Sequence, residues 1–233
     1  MYFILRILLI SVVFCPNHAK GQGRFIRLHL KNETYLKGKL ATAEADYYFD
    51  SEKGILVMNS TSPEDHIKIS NRLGEVKIYY PGENEVSLQQ GEYFSSENEL
   101  IYYFLTNNYF DLGLAKEGYT LSETRMDGSY QVTSWAAPGG HPVVPKVELV
   151  FENNQPVYAA YFNAESEIIR KVYYYDYTIF GSFMMPLKVT QITYTAAGDS
   201  VIQRNTYSGV KVSSIADSQF YNFEIPEDAK VIR

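Results

Sequence analysis

The side chains able to do acid–base, metal or nucleophilic chemistry are few and scattered. Beyond the first 21 residues the histidines are His29, His66 and His141, and none is spaced with another histidine or a carboxylate in a zinc-binding pattern. His66 follows Glu64 and Asp65, but that trio reads as the start of a strand. The hydrolase signature G-x-S-x-G is absent, and Gly198-Asp199-Ser200-Val201 falls on a hairpin turn with no helix after it. The carboxylate pairs Glu97/Glu99 and Glu165/Glu167 read as solvated faces, and no glycine-rich phosphate loop occurs. Nothing brings a nucleophile, a base and an orienting group together, so neither enzymatic catalysis, nor a metal, nor a cofactor is expected.

The composition narrows the class of molecule. The chain has 233 residues, 45% hydrophobic and 21% charged, which is too apolar for a disordered polymer. Heptads, glycine periodicity and an internal apolar run long enough to span a bilayer are all missing. Tyrosine numbers 21 against one Trp, and with Phe, Val, Ile and Thr it points to strands. The formal charge of −6 argues against binding nucleic acid through bulk charge.

Residues 1–21 have the layout of a secretory signal peptide. Arg6 precedes the apolar run Ile7–Phe14, Pro16 breaks it, and Ala19 and Gly21 stand at −3 and −1 of a cleavage point before Gln22. A lipoprotein would be cut before Cys15, but Phe14 is too large for the preceding position, so Cys15 is expected to leave with the leader. The remaining chain, 22–233, then has no cysteine, hence no disulfide or thiol nucleophile. Loss of two basic and no acidic residues moves its charge from −6 to −8. A periplasmic location and a single domain over 22–233 are expected.

The rest reads as strand after strand. Phe25–Leu30 alternates, and Tyr35–Phe49, Ile55–Thr61, Asp65–Arg72, Glu75–Tyr80 and Glu85–Gln90 are separated by turn residues. One helix is signalled by a capping box from Ser96 to Glu99, followed by Leu100, Ile101, Phe104 and Leu105 at helical spacing through about Asn107. A second short helix is expected over Asp111–Lys116. Strands resume at Tyr119–Arg125, Tyr130–Trp135, Val147–Phe151, Val157–Phe162, Ile168–Ile179, Leu187–Thr195, Ser200–Ser214 and Phe220–Ile225. Alternation puts Tyr173, Tyr175 and Tyr177 on one face, an aromatic row that suits either a half-exposed sheet or a sugar platform. Ala137–Pro145 is a Pro/Gly-rich loop, long enough to move or to cross between sheet edges. A dozen or so antiparallel strands form too wide a sheet to stay flat, and a curled sheet of that width must enclose either a ligand or a plug.

Two stretches carry a family resemblance. GEVKIYYPGENEV (Gly74–Val86) and FYNFEIPEDAKVI (Phe220–Ile232) resemble a hairpin and the last strand of the LolA/LolB-like lipoprotein carrier superfamily, and the order of parts between them also fits. The resemblance implies an all-β fold with lid helices, an unclosed, strongly curved antiparallel half-barrel covered by one or two helices. It also implies an apolar cavity for a lipid or acylated lipoprotein, and a place in outer-membrane biogenesis. This sequence departs from the carrier in two places. A strand stands where the carrier has its first helix, and DYYFDSEKGIL (Asp46–Leu56) lacks the carrier's Arg-Pro. A broader lipid-binding relative fits better than a dedicated lipoprotein carrier.

Within that frame Leu100, Ile101, Phe104 and Leu105, with Tyr103 at the boundary, form the face of a lid over the cavity or of a fixed plug. The second alternative makes the protein a structural or protein-interaction module of the envelope with a filled interior, working through an envelope protein partner.

Overall fold

The computed structural model describes residues 25–91, 95–139, 143–195 and 198–232. The leader with Cys15 and its cleavage point, and His141, lie outside the described residues.

The first six strands are β1 (Phe25–Leu36), β2 (Lys39–Asp50), β3 (Ile55–Ser62), β4 (His66–Ser70), β5 (Glu75–Tyr80) and β6 (Glu85–Gln90). A single α-helix, α1 (Leu100–Leu105), follows a 3-10 turn over Ser96–Asn98. Then come β7 (Thr120–Asp127), β8 (Tyr130–Ala136), β9 (Lys146–Glu152), β10 (Gln155–Phe162), β11 (Ile168–Phe180), β12 (Phe183–Tyr194), β13 (Ser200–Ser213) and β14 (Lys230–Ile232).

These 14 strands make one sheet in the order β14-β6-β5-β4-β3-β2-β1-β13-β12-β11-β10-β9-β8-β7. The chain begins in the middle, meanders outward to β6, passes α1, restarts at the opposite edge with β7 and meanders back until β13 pairs with β1. Every pairing is antiparallel except β14 with β6. The edges β14 and β7 do not pair, so the sheet is unclosed.

The sheet curls around α1. At about 4.8 Å per strand, β2 and β11 would stand roughly 19 Å apart if flat, whereas a six-residue helix is only about 9 Å long. Yet Tyr102 meets Phe49 on β2 at 5.5 Å and Phe104 meets Tyr174 on β11 at 5.9 Å. The inner face supplies one core, with Ile26, Leu28, Phe49, Leu149, Met185 and Val189 buried against the helix. On the outer face of β2–β6, Tyr48, Val57, Ile67, Tyr79 and Val86 form a second core, covered by Phe220, Tyr221, Phe223 and Ile225.

Several expectations need correction. The run Tyr35–Phe49 is two strands, split by a two-residue turn in which Lys37 (φ 49) and Gly38 (φ 75) are both left-handed, the geometry that suits the twist of a hairpin. Asp111–Lys116 is a series of turns rather than a helix, so among the described residues one α-helix covers the sheet, not two. Phe220–Ile225 is not a strand. Gln219–Asn222 is a 3-10 turn, and Phe220, Tyr221, Phe223 and Ile225 all grip the outer face, while sheet pairing is left to Lys230–Ile232. The loop after β8 crosses nothing, since β8 and β9 are neighbours and Ala137 N donates to Pro145 O at 2.9 Å. Tyr177 leaves the row of Tyr173 and Tyr175. Asp176 takes φ 59, and Tyr177 turns inward to meet Phe104 at 6.4 Å.

Candidate functional site

The segment from Ser95 to Tyr119 lies over the inner face, and its first contacts are polar. Ser95 Oγ accepts from Glu97 N at 3.3 Å and donates to Arg72 O at 2.9 Å. Ser96, fully buried, donates its hydroxyl to Gly54 O at 2.8 Å and its backbone N–H to Asn71 O at 2.9 Å. The expected capping box is therefore replaced. Ser95 caps the 3-10 turn, Ser96 fastens the segment to the β2–β3 and β4–β5 turns, and Glu99 opens α1 without a side-chain cap.

The two glutamates are engaged rather than solvated. Glu99 Oε1 lies 2.6 Å from Lys68 Nζ on β4. Glu97 accepts from Tyr102 Oη at 3.2 Å and pairs with Lys116 at 3.4 Å and Arg72 at 3.6 Å. At the far end, Asn107 Nδ2 donates to Ser182 O, in the β11–β12 turn, at 2.7 Å. The helix is thus held to both halves of the sheet through polar contacts at its two ends.

Between those ends its apolar side chains enter the inner core. Ile101, Phe104 and Leu105 are buried, and Leu100 packs against the same cluster. Phe104, 2% exposed, is surrounded by the rings of Tyr109, Tyr174 and Tyr177. Tyr103 is buried as well, and a Cβ on Gly113 would collide with its hydroxyl, which fixes a glycine (φ 87) at that crossing. Burial, and then the carboxylates of Glu117 and Asp111, push the Tyr103 phenol up to about 12.

Beside the helix the inner face keeps a cavity of about 280 Å³. Its floor is polar, formed by Tyr161, Arg170, Gln191, Gln203 and Asn205 on β10–β13. The Arg170 guanidinium lies over the Tyr161 ring at 3.5 Å, and Gln191 Nε2 donates to Gln203 Oε1 at 3.2 Å. Burial raises the Tyr161 phenol, against the opposing pull of Arg170. Sequence reasoning missed these residues, which come from four strands and share no local motif.

The two described histidines, His29 and His66, do not gather. His29 Nδ1 sits 3.0 Å from Asp46 Oδ1 on the outer face of β1–β2, and His66 bonds the Glu64 carbonyl. Among the described residues no group of three or more His, Cys, Asp or Glu is placed to hold a metal ion, and no helix is long and apolar enough to cross a membrane.

No family profile and no curated protein matches the chain. Solved structures do match. A LolA superfamily protein from Nitrosomonas europaea superposes with a TM-score of 0.54 at 11% identity, over 86% of this chain and 90% of that one. A domain from Vibrio parahaemolyticus assigned to outer membrane lipoprotein sorting gives 0.56 at 10% identity, over 87% and 91%. A DUF1329 family protein from Desulfovibrio piger gives 0.55 at 12% identity, over 86% and 90%. The chain has the LolA-type fold, an unclosed, curled antiparallel half-barrel with a helix on its inner face.

Proposed function

We propose that the protein is a non-enzymatic binder and carrier of a lipid or acylated lipoprotein, exported to the periplasm, with Ser95–Gly118 as its lid. The observation that carries this reading is the seating of α1. Its apolar residues fill the inner face of an unclosed sheet, and the buried Ser96 anchors the start of the segment, while the ends of α1 itself are held by the part-exposed contacts Lys68–Glu99 and Asn107–Ser182. Such contacts are weak singly and can be exchanged for water or a docking partner.

Magnitudes support an exchange of lid for cargo. Lifting Ile101, Phe104, Leu105 and Leu114 out of the core costs roughly 6–12 kcal/mol, at about 1.5–3 kcal/mol for each side chain. Burying an acyl chain of about 13 methylenes returns roughly 10 kcal/mol. The two nearly balance, so a chain can take the place of the lid residues and be released again when the acceptor offers the same burial.

A second reading has its own observation. The cavity of about 280 Å³ lies below the roughly 300–1,000 Å³ usual for ligand pockets, and Phe104 is enclosed by rings, which favours a filled scaffold that works through a protein partner. Native mass spectrometry of the purified full-length protein, alone and after incubation with a fluorescent acyl probe, separates the two. A co-purifying lipid or a stoichiometric probe complex is expected. Absence of both in a folded protein rejects the carrier.

A further inference from the structure

The inner face is amphipathic along the strands. Towards one end of β1, β10, β11, β12 and β13 it is apolar, with Leu28, Ala159, Val172, Val189 and Tyr207 buried. Towards the other end the same face turns polar. Asn32 pairs with Asn205, Gln203 with Gln191, Thr193 with Arg170, and Arg170 with Tyr161, so a polar row crosses five strands. The row is knitted by side-chain bonds, Asn32 Nδ2 to Asn205 Oδ1 at 2.6 Å and Gln191 Nε2 to Gln203 Oε1 at 3.2 Å.

Among the described residues that line the cavity, Arg170 is the one cation. Its guanidinium carbon lies 3.5 Å from the centre of the Tyr161 ring, and its Nε, buried from water, meets no hydrogen-bond partner among the described residues. A buried guanidinium donor left unpartnered is costly, and such groups in native proteins generally mark a missing acceptor. A guanidinium carries its N–H donors in a planar fork, which matches the oxygens of a phosphate or carboxylate. Glu117, exposed, lines the same cavity and suits a cationic group on the same ligand.

The geometry points to a head-group site: the cavity takes the phosphate or carboxylate of an amphiphile on Arg170, with the amide row Gln191, Gln203 and Asn205 beside it and the acyl part directed along the strands into the apolar core. This rests on the carrier reading and narrows it to amphiphiles with an acidic head.

The test compares lysophosphatidylglycerol, an uncharged monoacylglycerol of the same chain length, and glycerol phosphate, each titrated into the full-length protein and into Arg170→Met and Arg170→Lys. The wild type is expected to bind the charged amphiphile at least tenfold more tightly than the uncharged one. Arg170→Met should erase that preference and leave monoacylglycerol affinity unchanged, and Arg170→Lys should keep part of it. Arg170→Met should melt no lower than the wild type, because it removes an unpartnered buried donor. If it misfolds, the lysine variant carries the comparison.

Equal affinity for both amphiphiles, or an equal loss of both in Arg170→Met, overturns the head-group site and leaves the carrier standing. Arg170-dependent binding of glycerol phosphate without binding of either amphiphile overturns the amphiphile as source, and the carrier with it. Binding of none of the three overturns both.

Discussion

Lys68 Nζ lies 2.6 Å from Glu99 Oε1, so the residue that opens α1 is fastened to β4 in one half of the sheet while Asn107 reaches the β11–β12 turn in the other. The helix spans the mouth of the half-barrel. Breaking one tie should therefore loosen that end of α1 without unfolding the sheet. In Lys68→Met the loss of stability should stay below about 1 kcal/mol, because both side chains are near one-third exposed and the pair is screened. Amide exchange at Tyr102 and Thr106 should nevertheless quicken, and an acyl probe should enter faster. Unchanged exchange and unchanged probe kinetics would show a fixed plug.

Phe104 makes a sharper division. Truncation of a buried phenylalanine costs about 3–5 kcal/mol where the surrounding rings cannot close the gap. Phe104→Ala is therefore expected to lower the melting temperature markedly, and saturating acyl probe should restore more stability to it than to the wild type, by filling the vacated space. Phe104→Asp places a charge among Tyr109, Tyr174 and Tyr177 and should abolish probe binding. A probe that stabilises neither protein would support the filled scaffold.

Removal of the chain after Ser218 should be severe. It strips Phe220, Tyr221, Phe223 and Ile225 from the outer face and leaves Tyr48, Val57 and Tyr79 bare. It also removes β14, which exposes the edge of β6. Aggregation and strong binding of a hydrophobic dye are expected. A soluble truncated protein with an unchanged unfolding midpoint would show that the outer core does not need this cover.

The tyrosines set an alkaline limit. Burial pushes Tyr103, Tyr207 and Tyr221 up to about 12 from the ordinary value near 10. Above pH 10 the unfolded chain loses these protons while the folded chain keeps them, so stability is whole below 10 and falls as pH rises towards 12. Each group contributes on the order of 1–3 kcal/mol. Denaturant midpoints should be level from pH 8 to 10 and then drop steeply, with phenolate absorbance lagging in the folded protein. A flat profile to pH 12 would contradict the burial of these hydroxyls.

Much of the sheet was legible because strand alternation and turn chemistry are local. Glu75–Tyr80 and Glu85–Gln90 stand where their patterns put them. Failures came where tertiary contact overrides local pattern. Lysine is an unusual residue for a left-handed turn position, so Lys37-Gly38 was hidden inside an unbroken strand pattern. The alternation of Tyr221, Phe223 and Ile225 suits a strand as well as a tail gripping an aromatic surface. The lid residues could be read from helical spacing, whereas Arg170 could not be singled out. Its register neighbours Tyr161 and Thr193, and Gln191 and Gln203 in the same cavity, come together only through the registers of four strands.

The place of β1 at the centre of the sheet has a consequence for assembly. This first strand needs both β2, its nearest neighbour in sequence, and β13, near the other end of the chain. A chain emerging from its N-terminus can complete the meander β1–β6 early, but the second edge of β1 stays open until almost everything else has been made. Closing so distant a pairing is slow, because loop entropy is lost before the contacts form. The central seam is thus a late join in folding, and until it forms the nascent protein presents a sticky strand edge to other chains or to a holding chaperone.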